Sequence, residues 1–160
     1  MYQLTSPYAA VRGPRRRVTA RERFLQIMND IIPWVEWLAF VQRQHPIPAG
    51  PLECLLRIYL LQGWFNLTDE TVYDAICDSQ SMRAFLGVDP DEADLPDAGA
   101  LADFRLALEK NRASERLHFA IHHALKQGGA VMRGGTIVEA AVMQVPQVSL
   151  PFIEDNVGAR

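Results

Sequence analysis

The stretch that decides the fold is Leu52–Phe65, which reads LECLLRIYLLQGWF. Apolar side chains occupy most sides of a helix drawn through it, whereas a helix on a protein surface carries a single apolar stripe. Pro51 precedes the stretch and suits the first turn of a helix, because a first-turn residue needs no backbone N–H. The stretch therefore predicts a central helix that neighbouring helices surround.

Helical spacing of apolar residues continues on both sides of this central helix. Pro33 separates two predicted helices upstream, and a Pro- and Gly-rich segment, residues 45–50, leads into the central one. N-cap residues precede the other predicted helices, since their side-chain oxygens accept from the first-turn N–H groups. These caps are Thr19, Thr68, Ser79, Asp97 and Ser114. The fold class is therefore mainly α, a bundle of about six to seven helices over residues 19–130.

Residues 136–145 change the pattern to a run of mostly β-branched residues after Gly134-Gly135. Such a run is typical of a strand, and Pro146 ends it. A single strand cannot satisfy its own backbone groups, and a stable sheet needs three or more strands or helix cover. We therefore expect one orphan β-strand in residues 131–160, where the chain is cut short.

Positive charge is concentrated at the start of the chain. Residues 1–23 contain six arginines and one glutamate, a net charge of +5, whereas residues 24–160 contain ten basic and eighteen acidic groups, a net charge of −8. We call these six side chains the arginine head: Arg12, Arg15, Arg16, Arg17, Arg21 and Arg23. The concentration of arginines predicts that residues 1–18 form a flexible basic arm that binds a polyanionic partner. The alternative is a solvated tail.

Four motifs resemble the N-terminal region of bacterial insertion-sequence DDE transposases, in the group conventionally numbered five. In chain order they are Leu55–Glu70; Asp78-Ser79 with Met82–Gly87; Leu95–Asp97 with Phe104-Arg105 and Leu108-Glu109; and Gly135–Ala140. The last motif reads Gly-Thr-Ile-Val-Glu-Ala, where the family pattern has Asp in place of Glu139. The resemblance covers roughly residues 20–146.

The resemblance implies a helical N-terminal domain that binds the terminal inverted repeats of the element, followed by an RNase H-like catalytic domain. In the complete enzyme three carboxylates hold two Mg²⁺ ions for cutting and joining DNA. Glu139 stands at the first of these positions and would bind metal only if the missing part of that domain were supplied. We therefore expect a truncated transposase that carries no cofactor and does not catalyse transposition alone. The alternative is a helical interaction module that dimerises with full-length transposase and regulates it.

Two further groups are open to more than one interpretation. Arg105, with Arg112 and Arg116, could place a helix-turn-helix on the DNA backbone. The alternative pairs Arg105 and Arg57 with acids such as Asp103 or Asp74 between packed helices. Two histidines of the last helix stand four positions apart, as in a zinc-binding helix, but the glutamate of that motif is missing, so helical surface positions explain the histidines better. They are His118, His122 and His123.

Composition favours the cytoplasm. The resemblance implies double-stranded DNA as a partner, and a second copy of the chain or full-length transposase as a further one. Cys54 and Cys77 lie in apolar helical stretches, which predicts buried thiols in a reducing compartment. No secretory signal pattern precedes the arginines. The longest apolar stretch, around Ile31–Val41, is interrupted by Pro33 and Glu36, so no membrane partner is expected.

Overall fold

Seven α-helices and a short β-hairpin form the part of the chain that the structure describes. The structure is a computed structural model, and it describes residues 17–89, 95–127, 131–133 and 136–138. The helices are α1 (Ala20–Ile31), α2 (Trp34–Gln44), α3 (Ala49–Phe65), α4 (Thr71–Asp78), α5 (Gln80–Leu86), α6 (Ala98–Lys110) and α7 (Ala113–Gln127). The hairpin consists of β1 (Val131–Arg133) and β2 (Thr136–Val138). The predicted mainly helical fold is confirmed over these ranges.

Helix α3 lies at the centre, as its sequence predicts. It packs against α2, α4, α5 and α6. Its leucines at 52, 55, 56, 60 and 61 are at most 2% exposed. An apolar helix of this kind gains stability only when other helices remove all its sides from water, so its burial follows from its composition.

Aromatic side chains connect the central helix to its neighbours. The ring of Phe24 in α1 meets Trp64 edge to face, with centroids 5.3 Å apart, and Trp64 meets Phe85 of α5 at 5.6 Å. Trp37 of α2 is fully buried. These rings fill the space between the helices and therefore belong to the core.

Three predicted N-caps are present. The side chains of Thr19, Ser79 and Asp97 accept hydrogen bonds from backbone N–H groups in the first turns of α1, α5 and α6. The shortest, from Ala100 N to Asp97 Oδ1, is 2.7 Å. Gly87 ends α5 with φ 72°, a left-handed conformation that glycine adopts without steric cost.

Two other predicted helix starts are shifted. Helix α4 begins at Thr71, after a turn in which Thr71 N donates to Thr68 Oγ1 at 3.2 Å. Helix α7 begins at Ala113 rather than after Ser114, because Asn111 and Arg112 alone form the turn from α6. Arg112 has φ 55°, a left-handed conformation that reverses the chain direction. Helix α7 therefore begins directly after it, one residue before Ser114.

The strand predicted at Thr136 is present but is not an orphan, so that expectation is wrong. β2 pairs antiparallel with β1, with Val131 opposite Val138 and Arg133 opposite Thr136. The sequence between them is Gly134-Gly135, a pair suited to a two-residue hairpin turn, so the residues before it provide the partner strand. β1 lies beside α7 and β2 beside α1. The predicted continuation to Val145 lies outside the described residues.

The two cysteines differ in environment. Cys54 on α3 is half-buried, and burial raises the pKa of its thiol to about 11. Cys77 on α4 is exposed, which corrects the expectation that both are buried. The apolar pattern around Cys77 is carried by Val72 and Ile76, and position 77 falls on the other side of the helix.

Candidate nucleic-acid interface

The described part of the arginine head lies at the start of α1. Arg17, Arg21 and Arg23 are all exposed. The guanidinium carbon of Arg21 lies 5.4 Å from the centre of the Phe65 ring at the end of α3, a cation–π distance. No ion pair joins these three arginines to an acid within the described ranges. Their charges are therefore available to an external anion.

An open groove of about 890 Å³ runs beside this helix start. One wall carries Arg17 and Arg21, and the other is the junction between α4 and α5. The lining residues are Arg17, Thr19, Ala20, Arg21, Ala75, Asp78, Ser79, Gln80 and Ser81. A second groove, of about 650 Å³ between α3 and α6, is mostly apolar and its charged lining residues are Asp97 and Asp103. Of the two grooves, the one beside α1 suits a polyanion.

Arg105 on α6 forms an ion pair with Asp69, which lies in the turn between α3 and α4. Its Nη1 and Nη2 donate to Asp69 Oδ1 and Oδ2 at 2.9 and 2.6 Å, and Gln62 Nε2 donates to Asp69 Oδ1 at 2.8 Å. The hydrogen bond from Arg105, followed by that from Gln62, lowers the pKa of Asp69, and the same pair raises the pKa of Arg105. The partner is therefore Asp69, and not the predicted Asp103 or Asp74.

Arg57 on α3 is buried and joins four helices. Its Nε donates to Glu53 Oε1 at 2.9 Å, and its Nη1 donates to Asn29 Oδ1 at 3.0 Å and to the Phe85 carbonyl at 2.7 Å. Its guanidinium carbon lies 3.8 Å from the centre of the Trp34 ring. Burial lowers the pKa of Arg57, and Glu53 partly offsets this. These contacts make Arg57 a core residue and not a DNA ligand.

The exposed side of α7 combines cations with an aromatic ring. We call this set the α7 face, and its members, all exposed, are Arg116, Phe119, His122, His123 and Lys126. The Phe119 and His123 rings stack, with centroids 5.7 Å apart. His118 points the other way and is half-buried, where its Nδ1 donates to the Ser114 carbonyl at 2.8 Å.

The comparison with known families decides the class of protein. Residues 14–106 match the family model described as Transposase domain (DUF772). The chain belongs to this transposase-domain family. No solved structure matches it.

The matched part of this transposase domain ends at Leu106, within α6, and so does not include α7. Its function is accordingly related to transposition, as the sequence motifs indicate. No helix in the described ranges is long and apolar enough to cross a membrane. Within the same ranges, no group of three His, Cys, Asp or Glu side chains is placed to hold a metal ion.

Several predicted site residues of the transposase domain lie outside the described residues. These are Arg12, Arg15 and Arg16 of the arginine head, and Glu139. The structure therefore gives no geometry for a carboxylate that would bind Mg²⁺. Sequence reasoning named Arg116 as a candidate DNA contact and placed His122 and His123 on the helix surface, but it did not join them with Phe119 and Lys126 into one face. The signal was the spacing of residues 116, 119, 123 and 126 by three and four positions, which places them on one side of a helix.

Proposed function

We propose that this transposase domain binds double-stranded DNA at the terminal inverted repeats of its element. The observation that carries the proposal is the set of exposed arginines at the start of α1, where Arg17 and Arg21 line an open groove. Arginine donates to phosphate oxygens through its planar guanidinium group, which stays positively charged at every physiological pH. Phosphate contacts of this kind provide most of the affinity of proteins for DNA.

The environment of these arginines supports the assignment. Two arginines elsewhere in the bundle are instead held within the structure, Arg57 by contacts from four helices and Arg105 by Asp69. The start of α1 adds the positive end of a helix dipole, which also favours an anion. Arg12, Arg15 and Arg16 precede it in sequence and complete the arginine head in the proposal.

Arg105 enters the proposal as a weaker contact. Its side chain is 32% exposed, and the fork to Asp69 uses two of its five N–H donors. The remaining donors can reach a phosphate while the ion pair stays formed. Neutralisation by Asp69 reduces its attraction for DNA relative to an unpaired arginine.

We further propose that these 160 residues recognise DNA without cutting it. Two-metal strand transfer needs several carboxylates around ions about 3.5–4 Å apart. Glu139 is a single candidate for that role, and it has one methylene more than the aspartate of the family pattern. Mg²⁺-dependent nicking of supercoiled plasmid by the purified protein, lost in Glu139→Ala, would contradict this second statement and leave DNA binding intact.

Fluorescence anisotropy with labelled duplexes tests the DNA-binding proposal. One duplex carries the element's terminal repeat and the other a scrambled sequence of the same composition. We expect tighter binding to the repeat and, with six phosphate contacts, a slope of log K against log salt of about −5. Replacing the six arginines of the head with Gln should make the slope less negative by about 5.

The matched control replaces the same six arginines with Lys. This set keeps the charge, so its salt slope should stay near that of the wild type. Absence of binding to either duplex would overturn the proposal. Equal affinity of the Gln set and the wild type would remove the arginine head from it.

A further inference from the structure

The α7 face differs from the exposed side of α4 in charge. Helix α4 exposes Asp74 and Asp78 and contains no lysine or arginine. On α7 the exposed acid is Glu115, and Arg112 neutralises it in an ion pair of 2.8 Å. Arg116 and Lys126 thus give this side of α7 a net positive charge on a body that is otherwise acidic.

The spacing on the α7 face suits a duplex. Ten residues separate Arg116 from Lys126, which places their α-carbons about 15 Å apart along the helix. Phe119 and His122 lie between them on the exposed side. A helix with its side chains is about 10–12 Å wide, and the major groove of B-DNA is about 12 Å wide. Cations at both ends of such a helix can reach phosphates while the residues between them approach the base edges.

The β-hairpin links α7 to α1, the helix at whose start the described arginines of the head lie. The hairpin lies against both helices, with β1 beside α7 and β2 beside α1. The family match ends at residue 106, before α7 begins. The α7 face therefore lies beyond the part of the chain that the family defines.

We propose that the α7 face is a second DNA-contacting surface, with α7 seated against the major groove. Arg116 and Lys126 bind phosphates, and Phe119 makes an apolar contact with a sugar or a thymine methyl group. This inference rests on the proposed function, and it adds a contact that the arginine head does not provide. An acidic protein as the partner of this face is the other outcome of the test.

The test uses the full chain and the same anisotropy assay with the double variant Arg116→Gln/Lys126→Gln. Each phosphate contact contributes about 0.9 to the salt slope, so the slope should become less negative by about 2. At about 0.1 M salt the same two contacts correspond to roughly 60-fold weaker binding. Phe119→Ala should weaken binding with an unchanged slope, because no counterion is released at an apolar contact.

Arg43→Gln is the matched control, since Arg43 is an exposed cation on α2. Its salt slope should equal that of the wild type. Circular dichroism should show unchanged helix content and melting temperature for every variant. If the double variant is unstable, the single variants Arg116→Gln and Lys126→Gln replace it in the assay. Each should make the salt slope less negative by about 1.

The outcomes separate the two proposals. If the wild type does not bind duplex DNA, the proposed function and this inference both fail. If binding depends on the arginine head but the double variant matches Arg43→Gln, this inference alone fails. Polyglutamate serves as a model of an acidic protein. If the double variant binds DNA like the wild type but no longer binds polyglutamate, the α7 face binds an acidic protein and the inference is overturned.

Discussion

At the scale of single residues, Arg57 is a charged side chain inside the most apolar helix of the bundle. Its side chain is 11% exposed and that of Glu53 is 40% exposed, so the ion pair is partly buried. The guanidinium also satisfies the Phe85 carbonyl and Asn29 Oδ1, which come from other helices. Removal of the guanidinium leaves these acceptors without their donor and one carboxylate without its cation.

Arg57→Ala should lower the free energy of unfolding by about 3 kcal/mol, the size expected when one partner of a buried pair is removed. Arg57→Lys should recover only part of this loss, because one ammonium cannot replace a planar fork of donors. Urea denaturation followed by circular dichroism measures both. Arg43→Ala on the surface of α2 is the control, with an expected change within about 0.5 kcal/mol. A similarly small effect of Arg57→Ala would show that the cluster contributes little.

The Asp69–Arg105 pair predicts a pH dependence of stability. The pKa of Asp69 is lower in the folded than in the unfolded chain, chiefly because of the hydrogen bond from Arg105. The contribution of the pair is therefore complete above the unfolded value of about 3.9 and is lost as the pH falls through the lower folded value. Both side chains are about one-third exposed, at 32%, so solvent screening limits the effect to about 1 kcal/mol or less.

Chemical denaturation of the wild type and Asp69→Asn at pH 6 and pH 3 checks this expectation. The wild type should lose more stability than the variant over that interval. The variant keeps the shape of the side chain but has no carboxylate at position 69. Its loss of stability therefore measures the contribution of all the other acids. Parallel losses in the two proteins would contradict the assigned pKa direction.

At the scale of elements, the approach of α7 to α3 depends on Gly63. A β-carbon at this position would lie 3.1 Å from His118 Nε2. His118 cannot easily move, because its Nδ1 donates to the Ser114 carbonyl and its ring meets the edge of Tyr59 at 5.9 Å. A glycine inside a helix costs about 1 kcal/mol relative to alanine, and here it leaves room for the His118 side chain of α7.

A double-mutant cycle tests this packing. Gly63→Ala should give no gain in the wild-type background, because the contact with His118 offsets the higher helix propensity of alanine. In the His118→Ala background the same substitution should stabilise the protein by about 0.5–1 kcal/mol. Urea denaturation of the four proteins gives the coupling energy. Equal effects of Gly63→Ala in both backgrounds would show that the two residues are not coupled.

At the scale of the whole molecule, one core joins the helices. Buried side chains from all seven described helices belong to a single cluster, from Phe24 in α1 to Leu125 in α7. A helix that leaves this cluster exposes apolar surface on its neighbours as well as its own. The helices should therefore unfold together.

Equilibrium unfolding in urea should show one transition with the same midpoint by tryptophan fluorescence and by circular dichroism. Fluorescence reports on Trp34, Trp37 and Trp64, which lie around the centre of the bundle. Circular dichroism reports on all the helices. Two separated midpoints would show that part of the bundle unfolds independently.

Local sequence determined which helices exist and where most of them begin. Apolar spacing and the caps at Thr19, Ser79 and Asp97 act over three or four residues, so they can be read without knowledge of the fold. The family motifs were readable for the same reason, since they are ordered patterns along the chain.

Only the tertiary structure decided which groups meet. Asp69 and Arg105 are 36 positions apart, and Arg57 lies 28 positions from both Asn29 and Phe85, so spacing along one helix could not select these partners. The α7 face depends in the same way on which side of α7 packs against the bundle. Contacts between helices are fixed by how all the apolar faces pack together, and that packing is a property of the assembled core and not of any one segment.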